Sequence, residues 1–135
     1  VWTHGKEKLE IFLKLCQGLH PDVKFDVEIG ESMSYLDVDI KLENGFVKTS
    51  LHTKITDLHK YLHFESSHPP HIARNLPYGL FLRIKRICSC NEDFITESEK
   101  LKMFLRDRGY PHRVIRNAFK QAATKDRKGL LYKED

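Results

Sequence analysis

Nowhere in the chain do about 18 apolar residues run together, so no hydrophobic membrane-spanning helix is encoded and no membrane partner is expected. Cysteine is scarce and odd in number: Cys16, Cys88 and Cys90, the last two separated by one residue. That count supplies no disulfide framework and predicts a reducing, intracellular compartment. There is no Cys-x-x-Cys pair, no glycine-rich phosphate loop and no Ser or Cys nucleophile signature, which argues against a self-sufficient enzyme. The start, Val1-Trp2-Thr3-His4-Gly5, has neither an initiator Met nor a signal-peptide pattern, and reads as a cut inside a longer polypeptide.

Arginine is also absent from the first 67 residues, and that absence organises the charge. Residues 1–67 hold eight Lys against eleven acids, net −3, whereas residues 68–135 hold fifteen Lys plus Arg against eight acids, net +7. All eight arginines lie in the second part, and Arg suits bidentate phosphate contact. A basic part beside a mildly acidic one points to one face meeting nucleic acid.

The periodicities predict an α+β chain: a helix with a small antiparallel sheet, followed by a three-helix bundle. Leu9, Phe12, Leu13, Cys16 and Leu19 follow helical spacing from about residue 5 to residue 19, and His20-Pro21 ends that run. Phe25, Val27 and Ile29 alternate with polar residues, as in a half-buried strand. Leu36, Val38, Ile40 and Leu42 alternate up to Asn44-Gly45, the pair that favours a two-residue type I′ hairpin. Folding there pairs Leu42 with Val47, Ile40 with Thr49 and Val38 with Leu51 on an apolar face. Asp39 with Ser50 and Asp37 with His52 then lie on the polar face. Beyond residue 55 the period becomes helical. A helix is expected to open at Pro77 with Leu80, Ile84 and Ile87 on its core stripe. A second is expected after an Asn91 N-cap, and a third after Arg108-Gly109-Tyr110-Pro111. The expected divisions are 1–54, 55–125, and a charged, frayed tail over 126–135.

The densest chemistry lies in Thr56–Ser89, where His59, His63, His68 and His71 fall within thirteen residues ahead of Arg83-Ile84-Lys85-Arg86. One reading is a zinc site drawing on those histidines with Cys88 and Cys90, although the spacings fit no compact finger. The other is a polyanion grip: Arg74, Tyr78, Arg83, Lys85 and Arg86 as phosphate contacts, with His68 and His71 beside them. Most of the histidines would then brace the turn. Asp37 and Asp39 project from one strand face and could hold Mg²⁺, or could simply be outward residues of the hairpin. A protein-interaction module is the alternative class.

Over nearly its whole length the chain resembles Penelope-like retroelement reverse transcriptases. The resemblance runs through Trp2-Thr3-His4-Gly5, His20-Pro21, Lys24-Phe25, Tyr35-Leu36-Asp37-Val38, Thr56-Asp57, Tyr61-Leu62-His63 and Ser67-His68-Pro69. It continues through His71, Pro77-Tyr78, Leu82-Arg83, Arg86-Ile87-Cys88-Ser89 and Arg108-Gly109-Tyr110-Pro111. It implies the end of a palm over residues 1–54, with Tyr35, Leu36 and Asp37 in a primer-grip-like hairpin. A helical thumb holding an RNA or RNA–DNA template–primer duplex would follow over 55–125, in a nuclear protein. The family's catalytic Tyr-x-Asp-Asp motif would precede Val1. This stretch is therefore expected to be inactive alone and to need no cofactor of its own, Mg²⁺ serving only the complete polymerase with its upstream domains. An incomplete palm is expected to expose apolar surface and to self-associate.

Overall fold

The computed structural model describes residues 1–54 and 56–132. It divides into two compact units, Val1–Gly30 and Glu31–Asp135.

The first unit holds α1 (Lys6–Gln17), shorter at both ends than its apolar spacing suggests, and Gly18 caps its last turn through backbone bonds. Trp2 stacks on Phe12, centroids 5.4 Å apart, and its indole N–H donates to the Gly5 carbonyl at 2.8 Å. The strand expected at Phe25–Ile29 does not form: residues 23–30 run without ladder partners. Alternation alone cannot make a strand when no neighbouring backbone pairs with it. Instead the Gln17 side chain imitates one such neighbour, accepting from the Phe25 N–H at 3.3 Å and donating to its carbonyl.

The second unit is α+β, a three-stranded antiparallel sheet in the order β1-β2-β3 followed by a helical bundle. The strands are β1 (Ser32–Tyr35), β2 (Val38–Glu43) and β3 (Phe46–Leu51). The central hairpin has the expected register, Val38 opposite Leu51, Ile40 opposite Thr49 and Leu42 opposite Val47. Asn44 and Gly45 both take positive φ, 51° and 79°, as a type I′ turn requires. Leu36 departs from its expected place on the apolar face. It forms the β1–β2 turn with Asp37, at φ 54°, and is 71% exposed. Towards its tip the apolar face is open at Leu42 and Val47, and Phe46, opposite Glu43 on the polar face, is 78% exposed.

The bundle comprises α2 (Pro70–Ile87), α3 (Asn91–Asp107), α4 (His112–Ala123) and a short α5 (Arg127–Leu131). Pro70, not Pro77, occupies the first helical position, and Pro77 lies inside α2. A proline there withdraws the donor that the Ala73 carbonyl would use. The ring is nonetheless fully buried, and that packing holds it in place. The buried stripe is correspondingly Ala73, Pro77, Phe81 and Ile84, with Leu80 and Ile87 only half-buried. Asn91 is the first residue of α3 rather than its cap. Cys90 caps it, its sulfur accepting from the Asp93 N–H at 3.5 Å, a thiol standing where a hydroxyl is usual. The tail is not frayed over Arg127–Leu131, because Asp126 caps that turn through the Gly129 N–H at 3.3 Å. The rest of the expected fray, 133–135, lies outside the described residues.

One ring ties three helices together. Phe119 of α4 stacks on Phe94 of α3 at 5.8 Å and meets Phe81 of α2 edge-on at 5.6 Å, while the Lys102 ammonium sits 3.7 Å over its face. Sheet and bundle are joined at Thr49. Its carbonyl accepts from the Ser89 N–H at 2.9 Å, its N–H donates to Ser89 Oγ at 3.0 Å, and its hydroxyl donates to the Ile87 carbonyl at 2.6 Å. A second tie runs from Lys48 of β3 to Asp93 of α3, 3.4 Å apart. The Cys90 thiol beside its carboxylate, aided by Lys48, holds Asp93 below the usual carboxylate range despite partial burial. Asp93 in turn raises the Lys48 ammonium.

Because Asp93 is depressed in the folded state, its contribution is complete above its ordinary value near 3.8 and is lost as pH falls through the folded value. Urea unfolding from pH 7 to pH 2 should therefore show a steeper acid loss for the native chain than for Asp93→Asn; parallel curves would refute it. Gly109, at φ 80°, leaves only 3.1 Å between a would-be Cβ and His63 Cε1, whereas Gly79 in α2 has open space. Gly109→Ala is predicted to cost about 1–2 kcal/mol, and Gly79→Ala to gain about 0.5–1 kcal/mol, in denaturant midpoints.

Candidate nucleic-acid interface

The basic block of α2 separates into two groups. At its N-terminal end His68, His71 and Arg74 are exposed, and Tyr78 is half-buried with its ring against the core. His68 Nδ1 lies 3.3 Å from Ser66 Oγ, a local contact that fixes the approach to the helix. The first turn of α2 carries no acid, so its exposed N–H groups face no competing carboxylate.

Further along, each cation has a partner within the protein. Arg83 is ion-paired with Asp37 in the β1–β2 turn, so two residues predicted for separate tasks meet. Lys85 lies 4.5 Å over the Phe94 ring, and Arg86 donates from Nε to the Leu130 carbonyl at 3.2 Å. Arg127 returns the tie to the Arg86 carbonyl at 3.1 Å. Arg83 and Arg86 remain exposed. Tyr35 and Leu36 stand exposed at the end of the sheet.

The other histidines brace. The His59 ring stacks on Phe104 of α3 with centroids 4.1 Å apart, and His63 packs its ring against Gly109. Among the described residues, the histidines do not gather with Cys88 and Cys90 into a group able to hold a metal. Burial pushes the Cys88 thiol up to about 11, so at neutral pH it stays protonated rather than offering a thiolate. Nor do Asp37 and Asp39 suit a Mg²⁺ site: Arg83 engages the first, and the second takes Ser34 Oγ and sits 2.9 Å from His52 Nδ1.

Sequence reasoning passed over α4. Residues 108–125 contain five Lys and Arg and no acid. Within them Arg113, Arg116, Asn117 and Lys120 follow i, i+3, i+4, i+7 spacing and are all exposed, while Ile115, Ala118 and Ala122 turn to the core. Among the described residues none of the three cations has an ion-pair partner. The signal was present in the sequence as that spacing together with the missing acids.

A short turn, Arg108–Pro111, links α3 to α4, with Gly109 at positive φ. The loop before α2 holds this turn at two points: Arg108 Nε donates to the Tyr61 carbonyl at 2.6 Å, and the Phe64 N–H donates to the Arg108 carbonyl at 3.0 Å. Burial pushes the Tyr110 phenol above its ordinary value, with Arg108 opposing.

Among the described residues no helix is long and apolar enough to cross a membrane. No curated protein and no solved structure matches the chain. Residues 60–120 match the family model described as an animal helix-turn-helix domain, a span that takes in the bracing loop, α2, α3 and α4 as far as Lys120.

Proposed function

We propose that the helical part of this chain binds a nucleic-acid duplex, with the α4 stripe as its principal contact. The observation that carries this is the acid-free row Arg113, Arg116 and Lys120, without ion-pair partners among the described residues, on the helix after the Arg108–Pro111 turn, the third of a segment resembling a helix-turn-helix domain. In that motif the helix after the turn enters the groove, and its cations reach phosphates on either side. Asn117, in the middle of the row, is of the kind that can read a base edge. His68, His71, Arg74 and Tyr78 supply a second contact line at the start of α2. Arg83, Lys85 and Arg86 reach the duplex only by giving up or sharing their partners.

The finer reading is that this duplex is the RNA–DNA template–primer of a Penelope-like reverse transcriptase, held by the thumb in a nuclear protein. It rests on the ordered motif resemblance from Trp2 to Pro111. Under it the hairpin at Tyr35–Asp37 lies beside the primer, the open apolar sheet face around Leu42 and Val47 meets other polymerase domains or a second copy, and nucleotidyl transfer belongs to residues outside this stretch.

Salt titrations with an RNA–DNA hybrid and a B-form DNA duplex of equal length test both levels. Replacing Arg113, Arg116 and Lys120 by Ala should cost at least about tenfold in affinity and lower the slope of log K against log salt by about two to three. Arg83→Ala with Arg86→Ala should cost less. An unchanged slope in the α4 variant would refute the interface. Preference for the hybrid supports the thumb reading, and preference for B-form DNA refutes it.

A further inference from the structure

A cavity of about 160 Å³ opens between the strand end at Leu51, the bracing loop, α2 and α3, away from the α4 stripe. Its floor is aliphatic, from Leu80, Ile84 and Leu101. One wall is aromatic, with His59 stacked on Phe104 at an interplanar angle of 21° and Tyr61 alongside. The rim carries Arg83, Glu97 and Lys100, with exposed Thr53 at the mouth.

Three features specify an occupant. The space suits a single planar ring system, since apolar voids of about 150 Å³ admit one aromatic ring. Two cations from different helices share the opening, and each keeps unused donors. Lys100 spends one proton on Glu97 at 2.6 Å, and Arg83 engages Asp37 through one guanidinium nitrogen. Between them Glu97, its side chain only 16% exposed, has Oε1 occupied by Lys100 and Oε2 without a hydrogen bond among the described residues. A carboxylate oxygen left open in the cavity lining can accept from an N–H donor on an occupant. The wall itself is under constraint: His59 sits at φ 48°, and its Nδ1 is buried without a hydrogen-bond partner.

We propose that this cavity takes one unstacked nucleotide whose base carries an exocyclic amine, the base against the His59–Phe104 wall, the amine on Glu97 and the phosphate at Arg83 and Lys100. The inference rests on the nucleic-acid reading for its source, an unpaired nucleotide at a strand end, since splayed bases are commonly held on aromatic side chains. The site's chemistry can be tested without a duplex.

Cytidine and uridine 5′-monophosphates have the same size and differ in the amine that Glu97 would bind, so they are the probes for chemical-shift titration of the full chain. Cytidine monophosphate should give saturable shifts at Leu101 and Phe104, with uridine monophosphate weaker by at least about five-fold. Thr53→Trp should plug the mouth and abolish the shifts, and Lys100→Glu should weaken them if the plugged variant does not fold. Glu97→Gln, which turns the acceptor into a donor, should favour uridine monophosphate. No saturable shift, equal binding of the two nucleotides, or unaltered binding by folded Thr53→Trp would overturn the proposal. Hybrid binding on the same sample keeps the failures apart. A protein that grips the hybrid but ignores cytidine monophosphate loses only the pocket. One that takes the nucleotide but not the hybrid loses only the duplex reading.

Discussion

The bundle and the sheet depend on one residue-to-residue joint, Thr49 with Ser89. A strand edge normally demands another strand, because its N–H and C=O groups must be satisfied. Here a single residue beyond the C-terminus of α2 serves, exchanging backbone and hydroxyl bonds with Thr49 on both sides. The Thr49 hydroxyl meanwhile caps the helix carbonyl at Ile87, one of the groups that a helix end leaves without a donor. Two unsatisfied termini, a strand edge and a helix end, are thereby resolved against each other. Each bond contributes about 0.5–1.5 kcal/mol net, and together they set where α3 must begin, because Cys90 follows at once.

Other ties that hold the fold decide which positive charges stay free. The second part of the chain is strongly basic, but much of its charge is committed to holding the fold. Arg127 reaches the Arg86 carbonyl, Arg86 reaches α5, Arg83 binds the hairpin, Lys85 and Lys102 cover aromatic faces, and Arg108 fastens the bracing loop. What is left in an uninterrupted row is α4. A polyanion approaching the protein meets a field shaped by all of these charges, but it can form close contacts without first breaking an internal pair only where the side chains are uncommitted.

Local chemistry was legible where local chemistry decides. Asn44-Gly45 and the flanking alternation specify the hairpin and its register without reference to anything distant. The three helices of the bundle followed from apolar period and from the glycine–proline punctuation at Gly109 and Pro111. The misreadings share one cause, that a pattern does not name its partner. Phe25–Ile29 alternates like a strand but has no strand to join. Pro77 suits a helix start, yet Pro69-Pro70 supplies an earlier one and the bundle buries the later ring. The histidine cluster looked like one site because its members are close in sequence. In space, His59 and His63 are absorbed by Phe104 and Gly109, while His68 and His71 remain at the head of α2. The α4 row went unread because its cations are spread over a helix rather than bunched, although period and charge together encode it.

The two-point clamp between the bracing loop and the Arg108–Pro111 turn has a consequence for where the motif's edges lie. The angle between α3 and α4 is set partly from outside the two helices, by a stretch with no regular structure of its own. A boundary drawn by secondary structure would start at Pro70 and discard that stretch. The family match starts at residue 60, one residue before Tyr61 supplies its carbonyl to Arg108. The matched span thus takes in the turn together with its splint, and cutting at Pro70 would keep the two helices but remove the clamp that sets the angle between them.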